Sequence, residues 1–259
     1  MNSKTNKNAT DSSPLAITTL NDLISFRNRV NNGEDFHNKT ILQVCDIEEL
    51  NQWVPIGTME NPFRGSYFGQ NQIIKKITVK SETVAGFFGC MEGGAIQDVH
   101  IVQGSIVGNK AGGICGHIRF NGKIERCSNA SAVKGVGTNA YAGGICGDSW
   151  GGTLLSCMNS GEISNESPDV SSLSGGIAGA NYEGKVESCT NKGSISPLTG
   201  HAGGIIASNN NGRISNCKNE QMVHSGRNKG GICGWNNGEV EKCTSSINMN
   251  PIGEGHPMK

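Results

Sequence analysis

The sequence predicts an all-β protein, a single-stranded, right-handed parallel β-helix (solenoid) with a short N-terminal capping helix. The motif GGIxG, or a near copy, returns along the chain, and four copies are followed by Gly-x-[Ile/Val/Leu]-x-x-Cys-x-Asn and then by an aliphatic residue six positions after the cysteine. The second glycines of successive copies are 27, 31, 32, 28 and 27 residues apart. Such a period is typical of solenoids, whose units bury their apolar faces only by stacking.

The apolar segments within one period are too short for helices, which need a pattern over about 10 residues. Three short strands per coil fit them better, with Gly and Asn at the corners. Stacked coils would pair in parallel about 4.8 Å apart, and the usual hand of β-crossovers favours a right-handed coil. The length varies mainly at one corner, through the loops 135–141, 165–173 and 197–201.

Four segments follow from this pattern in chain order. Residues 1–13, rich in Asn, Ser and Thr, are expected to be a disordered leader. Residues 14–40 should form the helical cap, because Thr19 and Asp22 can make a capping box before an apolar pattern with helical spacing. Such a helix would cover the strand edges of the first coil. Residues 41–247 should form the β-helix, and the tail 248–259, with two prolines, should not extend the ladder far.

Eight of the ten cysteines fall at two positions of the repeat. The first position holds Cys127, Cys157, Cys189, Cys217 and Cys243, and the second holds Cys115, Cys146 and Cys233. At the second position the other coils have Phe88, Ala178 and Ile206. Because these replacements are apolar and no Cys-x-x-Cys pair exists, we expect small buried side chains with free thiols, no metal site and no cofactor.

The asparagines two residues after four of the cysteines are predicted to form a hydrogen-bonded ladder from coil to coil. These are Asn129, Asn159, Asn191 and Asn219.

Charge and hydropathy exclude several classes of partner. The chain has 22 basic and 22 acidic residues and no net charge, which argues against binding to nucleic acid or to an anionic membrane. It has neither an 18-residue apolar run nor a signal-peptide hydrophobic segment. We expect a monomer that does not insert into membranes.

The whole arrangement resembles the GLUG-motif repeat solenoids of bacterial surface proteins. The segment from Thr19, TLNDLISFRNRVNNGEDFHNKTILQVCDIEEL, then WVPIG and then FRGSYFGQNQIIKKITV, has the order seen before such repeats. The resemblance covers residues 17–247 and extends to adhesin-like proteins and to the non-catalytic regions of immunoglobulin A proteases. It implies a secreted or cell-surface protein whose partner is a glycan or a host or bacterial surface protein. Protease activity is not implied, because no His-Glu-x-x-His zinc motif exists and none of the six histidines precedes Glu.

Aromatic residues are concentrated in the turn after the GGIxG strand. The candidate ligand-binding residues there are Phe120, Trp150, Tyr182 and Trp235, with Asn210 in the remaining coil. A row of rings could stack on sugars or on apolar groups of a partner. The other interpretation is that each ring folds over the neighbouring glycines and shields the core.

Three functions remain open at this stage: a non-enzymatic binding module, a purely structural stalk, and a carbohydrate-active enzyme (a polysaccharide lyase or hydrolase). An enzyme would need clustered carboxylates, and only seven aspartates exist. Glu125, Glu187 and Glu241 share an outward position on alternate coils, about 10 Å apart, which exceeds the roughly 6.5–9.5 Å of inverting glycosidases. We therefore predict no catalytic residue.

Overall fold

The computed structural model describes residues 13–224, 227–246 and 248–258. These residues form an all-β parallel solenoid of about eight turns with one short helix, which confirms the predicted fold class. Nearly all of the expected leader lies outside the described residues. None of the described helices is long and apolar enough to span a membrane.

The elements follow one another closely along the chain. The first are β1 (Leu15–Ile17), α1 (Leu20–Asn31), β2 (Thr40–Gln43), β3 (Ile47–Leu50), β4 (Ser66–Phe68), β5 (Ile73–Lys80), β6 (Val84–Ala85), β7 (Phe88–Glu92), β8 (Ala95–Gln97), β9 (His100–Ile101) and β10 (Gly104–Gly108). The next are β11 (Lys110–Gly112), β12 (Cys115–Arg119), β13 (Lys123–Glu125), β14 (Ser128–Asn129), β15 (Ala132–Gly135), β16 (Tyr141–Gly143), β17 (Cys146–Trp150), β18 (Thr153–Leu155), β19 (Met158–Asn159), β20 (Ile163–Asn165), β21 (Leu173–Gly175) and β22 (Ala178–Tyr182). The last are β23 (Lys185–Glu187), β24 (Thr190–Asn191), β25 (Ile195–Pro197), β26 (His201–Gly203), β27 (Ile206–Ser215), β28 (Lys218–Asn219), β29 (Asn228–Gly230), β30 (Cys233–Glu241), β31 (Thr244–Ser245) and β32 (Ile252–Gly255).

The strands stack into three parallel sheets. The first sheet has 14 strands, including β12, β13, β17, β18, β22, β23, β27, β30 and β32. The second has 12 strands and contains the cysteine-to-asparagine side of each coil, and the third has six strands that lead into the paired glycines. The variable loops join the second sheet to the third, at the predicted corner. Strand β32 pairs with β30 and so adds a ladder strand within the tail 248–259.

The register aligns the repeat positions as predicted. At the second cysteine position, Phe88, Cys115, Cys146, Ala178, Ile206 and Cys233 pair from coil to coil. The five cysteines of the first position form one buried file, in which the amide of Cys189 lies 3.4 Å from Cys217 Sγ and that of Cys217 3.4 Å from Cys243 Sγ. All ten cysteines are free thiols, nine of them buried.

The predicted asparagine ladder explains why the second glycine recurs. The Asn129 amide donates to Asn159 Oδ1 at 3.1 Å, Asn159 to Asn191 at 2.9 Å and Asn191 to Asn219 at 3.0 Å. A Cβ on Gly113 would lie 2.3 Å from Asn129 Cγ, and one on Gly144 2.2 Å from Asn159 Cγ. A side chain at this position would therefore collide with the ladder.

The helix α1 packs on the N-terminal coils, as the sequence predicts. Thr19 and Asp22 form both hydrogen bonds of the capping box, which pairs two backbone donors that the helix itself leaves free. Leu23, Phe26 and Val30 are buried. The Phe26 ring lies 5.1–6.0 Å from the rings of Phe36, Phe63 and Tyr67, so the helix is held by an aromatic core.

Candidate functional site

A groove lies on the outer surface where the first strand of three successive repeats turns into the second. It encloses about 520 Å³ and is lined by Phe120, Asn121, Trp150, Gly151, Tyr182 and Glu183. These residues end or follow β12, β17 and β22. Each turn has a residue in the left-handed region, with φ of 62° at Asn121, 67° at Gly151 and 54° at Glu183. Asn and Gly adopt this conformation more readily than other residues. Because the three turns share it, they stack and their side chains line one surface.

The aromatic rings in this groove are largely open to solvent. Phe120 is 68% exposed and Trp150 is 52% exposed, and Tyr182 is half-buried. Trp150 pairs with Tyr182 between β17 and β22, and their ring centroids are 5.4 Å apart with planes at 58°. The exposure of Phe120 and Trp150 disfavours the interpretation that every ring folds inward to shield the core.

The hydroxyl of Tyr182 is neutral. Burial, together with the neighbouring Tyr141, raises the pKa of Tyr182. The protonated hydroxyl can therefore act as a donor or acceptor beside the rings.

A buried ionic cluster adjoins Trp150. Asp148 is fully buried, and its Oδ2 lies 2.5 Å from Lys110 Nζ and 3.2 Å from His117 Nδ1. The edge of the His117 ring meets Trp150 at a centroid distance of 6.2 Å and an angle of 76°. The carboxylate therefore orients the imidazole, and the imidazole supports the indole ring.

Sequence reasoning did not bring Lys110, His117 and Asp148 together. A signal was present in the sequence, since His117 and Asp148 both stand four residues after the second glycine of their coils. In the structure they are direct partners in the pairing of β12 with β17. Lys110 belongs to the third sheet, and no one-dimensional pattern shows that its side chain reaches across the corner to Asp148.

The structure brings Phe120, Trp150 and Tyr182 together and separates Trp235 from them. Trp150 and Tyr182 stand six residues after the second glycine, and Trp235 stands only four after Gly231. Trp235 therefore pairs with Ser208, in the column of His117 and Asp148. The groove position in the last two repeats is taken by Asn210 and then Asn237.

The outward glutamates form ion pairs with basic neighbours. They lie on alternate coils, with Leu155 and Ser215 between them, as predicted. Glu125 lies 2.7 Å from Lys123 and Glu187 2.5 Å from Lys185, and Glu241 pairs with Arg213. Such surface pairs are typical of a solvated face. Within the described ranges, no group of three or more His, Cys, Asp or Glu side chains could hold a metal ion.

Comparison with known proteins supports the fold. No family model matches the chain, and no curated protein matches it. The structure is similar to the crystal structure at 1.30 Å of a Bacteroides ovatus protein described as a “putative immunoglobulin A1 protease”, with a TM-score of 0.78 and 21% sequence identity over 95% of this chain and 79% of that one. At this identity the similarity shows a shared solenoid fold.

Proposed function

We propose that this protein is a non-enzymatic, extracellular binding module of a bacterial surface protein, and that it holds a glycan in the groove of Phe120, Trp150 and Tyr182. The observation that supports this most is the exposure of two large rings, Phe120 and Trp150, that line the same groove on a regular ladder of strands. Sugar rings present apolar faces that stack on aromatic side chains. The polar groups of Asn121, Tyr182 and Glu183 border the same groove, where they can bond to hydroxyl groups.

The scaffold favours binding because it holds the rings in place before the ligand arrives. Trp150 is supported by Tyr182 on one side and by His117 on the other. Rings that are already ordered lose little entropy on binding, and each aromatic contact contributes about 0.5–1.5 kcal/mol beyond its buried area. Individual contacts of this size suit a repetitive ligand, for which linked contacts add to the affinity.

Location and assembly belong to the same proposal. A secreted or cell-surface position and a monomeric state agree with the resemblance to GLUG-motif solenoids. For the Bacteroides ovatus protein a protease function is named, but we propose none for this chain, because the zinc motif that such a function would need is missing from its sequence.

A second candidate function, a carbohydrate-active enzyme, is favoured by one observation. Lys110, His117 and Asp148 meet within 3.2 Å beside the groove, and such groups can transfer protons. Against it, Asp148 is fully buried and His117 is 4% exposed, so a substrate in the groove does not reach them without rearrangement. The enzyme would be favoured if the wild-type protein released reducing ends from pectin-type polysaccharides and Asp148→Asn did not. We expect no release.

A glycan array tests the proposed function. Labelled wild-type protein, Trp150→Ala and Leu198→Ala should be applied to identical arrays. Leu198 is a matched control because it is 68% exposed but lies in the variable loop 197–201. We expect the wild type and Leu198→Ala to retain the same glycans and Trp150→Ala to bind them at least about fivefold more weakly. Equal binding by Trp150→Ala would exclude the groove as the site, and no binding by the wild type would favour the structural stalk.

A further inference from the structure

The basic side chains around the groove are paired with carboxylates, whereas one acidic side chain of the groove is not paired with a base among the residues that the structure describes. The strands that lead into and out of its three turns contain the cations Arg119, Lys123 and Lys185. Each of them faces a carboxylate: Arg119 Nη1 lies 3.8 Å from Glu92, Lys123 Nζ 2.7 Å from Glu125 and Lys185 Nζ 2.5 Å from Glu187. The positive charge near the groove is therefore already compensated by acidic side chains.

Glu183 is the acid of the groove without such compensation. It lines the groove beside Tyr182 and is exposed, and it makes no ion pair within the described part of the chain. Its backbone is fixed, because its amide donates to the Asn210 carbonyl at 2.9 Å and its φ is 54°. The carboxylate is thus attached at a defined place on the rim of the aromatic surface.

Exposed aromatic faces next to an uncompensated carboxylate have a specific chemical preference. Ring faces are the negative part of the aromatic quadrupole and attract a cation within about 6 Å. A carboxylate at the rim adds a direct Coulomb attraction and repels anions. Phe120, Trp150 and Tyr182 supply the faces, and Glu183 supplies the charge.

From these contacts we infer that the ligand of the groove is an organic ammonium, which places an apolar face on Trp150 and its positive charge against Glu183. This inference rests on the proposed function and specifies its ligand class. Two sources present this chemistry on a glycan: amino sugars with a free amine, and trimethylammonium substituents such as choline. Acidic sugars are disfavoured by the same charge.

Calorimetric titration with pairs of charged and neutral probes tests the inference. Glucosamine tetramer is compared with N-acetylglucosamine tetramer, and choline with its neutral analogue 3,3-dimethylbutanol, at about pH 6, where a sugar amine is protonated. We expect one ammonium probe to bind at least about fivefold more tightly than its neutral partner, the attraction of one charge pair about 4 Å apart in bulk water. Preference within the first pair would identify an amino sugar, and preference within the second a trimethylammonium group.

Two variants that each remove one negative charge test whether Glu183 causes the preference for the charged probe. Glu183→Gln should bind the charged and neutral probes equally, while Glu166→Gln, which makes the same charge change in the loop after β20, should keep the preference. Equal binding of charged and neutral probes by the wild type, or a preference that survives Glu183→Gln, would overturn the inference.

Failure of the inference and failure of the proposed function give different results. Probe binding that depends on Trp150 but ignores charge would overturn only the inference. Probe binding that is unchanged in Trp150→Ala would overturn both. Binding of none of the probes would overturn the inference, and the proposed function would then stand or fall with the glycan array.

Discussion

At the scale of single residues, the carboxylate of Asp148 is the most constrained group beside the groove. Its Oδ2 is shared by Lys110 and His117, and its Oδ1 has no hydrogen-bond partner among the described residues. Burial of a carboxylate destabilises the fold unless the carboxylate is paired. The positive charge of Lys110 therefore stabilises the buried Asp148.

Removal of the Lys110 charge should destabilise the protein. We expect Lys110→Met to lower the free energy of unfolding by about 2–3 kcal/mol, below the 3–5 kcal/mol of a fully buried pair because the Lys110 side chain is 26% exposed. Lys123→Met is the matched control, since it removes a surface pair with Glu125 and should cost at most about 1 kcal/mol. Urea unfolding measures both, and equal effects of the two variants would contradict the role given to Asp148.

The asparagine ladder allows a second test. Asn159 donates to Asn191, accepts from Asn129 and is fully buried. Because its removal leaves buried neighbours unpaired, Asn159→Ala should cost about 1–3 kcal/mol. Asn210→Ala, at a half-exposed position of β27, should stay within about 0.5 kcal/mol. Thermal unfolding compares them, and a neutral effect of Asn159→Ala would mean that the ladder does not stabilise the stack.

The sequence allowed one of the two asparagine ladders to be predicted. Asn129, Asn159, Asn191 and Asn219 follow aligned cysteines, so their stacking could be expected. A second ladder, Asn181 to Asn209 to Asn236 with bonds of 2.8 Å, was not predicted. Its members lie within β22, β27 and β30, and no aligned cysteine or other neighbouring motif marks them as stacked.

At the scale of strands, three buried cysteines outside the five-cysteine file show how strongly the core is protected from solvent. Burial raises the pKa of Cys90 to about 11 and that of Cys233 to about 12, and it raises the pKa of Cys115 as well. In the folded protein these thiols are therefore protonated and unreactive at neutral pH.

The raised thiol pKa values predict a loss of stability at alkaline pH. Below the ordinary thiol pKa near 9, both folded and unfolded states keep the protons, and the stabilising contribution is complete. As pH rises past 9, the unfolded chain loses protons that the folded chain retains, so the free energy of unfolding falls until the folded thiols titrate. At about pH 10 the loss should be about 1 kcal/mol each for Cys90 and Cys233.

Chemical unfolding at several pH values from neutral to about 10.5 measures this effect. The double variant Cys90→Ala with Cys233→Ala should show a shallower decline than the wild type, because two of the titrating groups are gone. An unfolding free energy that stays constant over this range in the wild type would contradict the assignment of buried, protonated thiols.

The strand columns could be predicted more accurately than the turns. Glycines, cysteines and aliphatic residues recur because each must fit the same neighbour in the next coil, so their register follows from the spacing. Turns vary in length, and this is why Trp235 was placed with Trp150 although it stands two residues earlier in its coil. A shift of two residues moves a side chain to another column; counting from the second glycine indicates this shift, and the pairing of β27 with β30 confirms it.

At the scale of the whole molecule, the groove is a property of the stack. No single coil contains more than one of its three rings, and the site exists because β12, β17 and β22 place their turns above one another. The capping helix, the glycine corners and the asparagine ladders maintain this stacking. A ligand that spans several coils would use the repeat itself as its binding surface.

The three tryptophans permit a direct test of where a ligand binds. Trp53 is buried and stacks on Phe87, Trp235 lies in a different column, and Trp150 borders the groove. Each indole N–H gives one cross-peak in a proton–nitrogen correlation spectrum, and the spectrum of Trp150→Ala identifies the peak of Trp150 by its loss. Glucosamine tetramer and N-acetylglucosamine tetramer are then titrated into labelled wild-type protein. The central claim, that the protein binds glycans in the groove of Phe120, Trp150 and Tyr182, predicts that the Trp150 peak shifts progressively while those of Trp53 and Trp235 stay in place. It would be contradicted if the Trp150 peak did not move, or if only the peak of Trp53 or Trp235 moved.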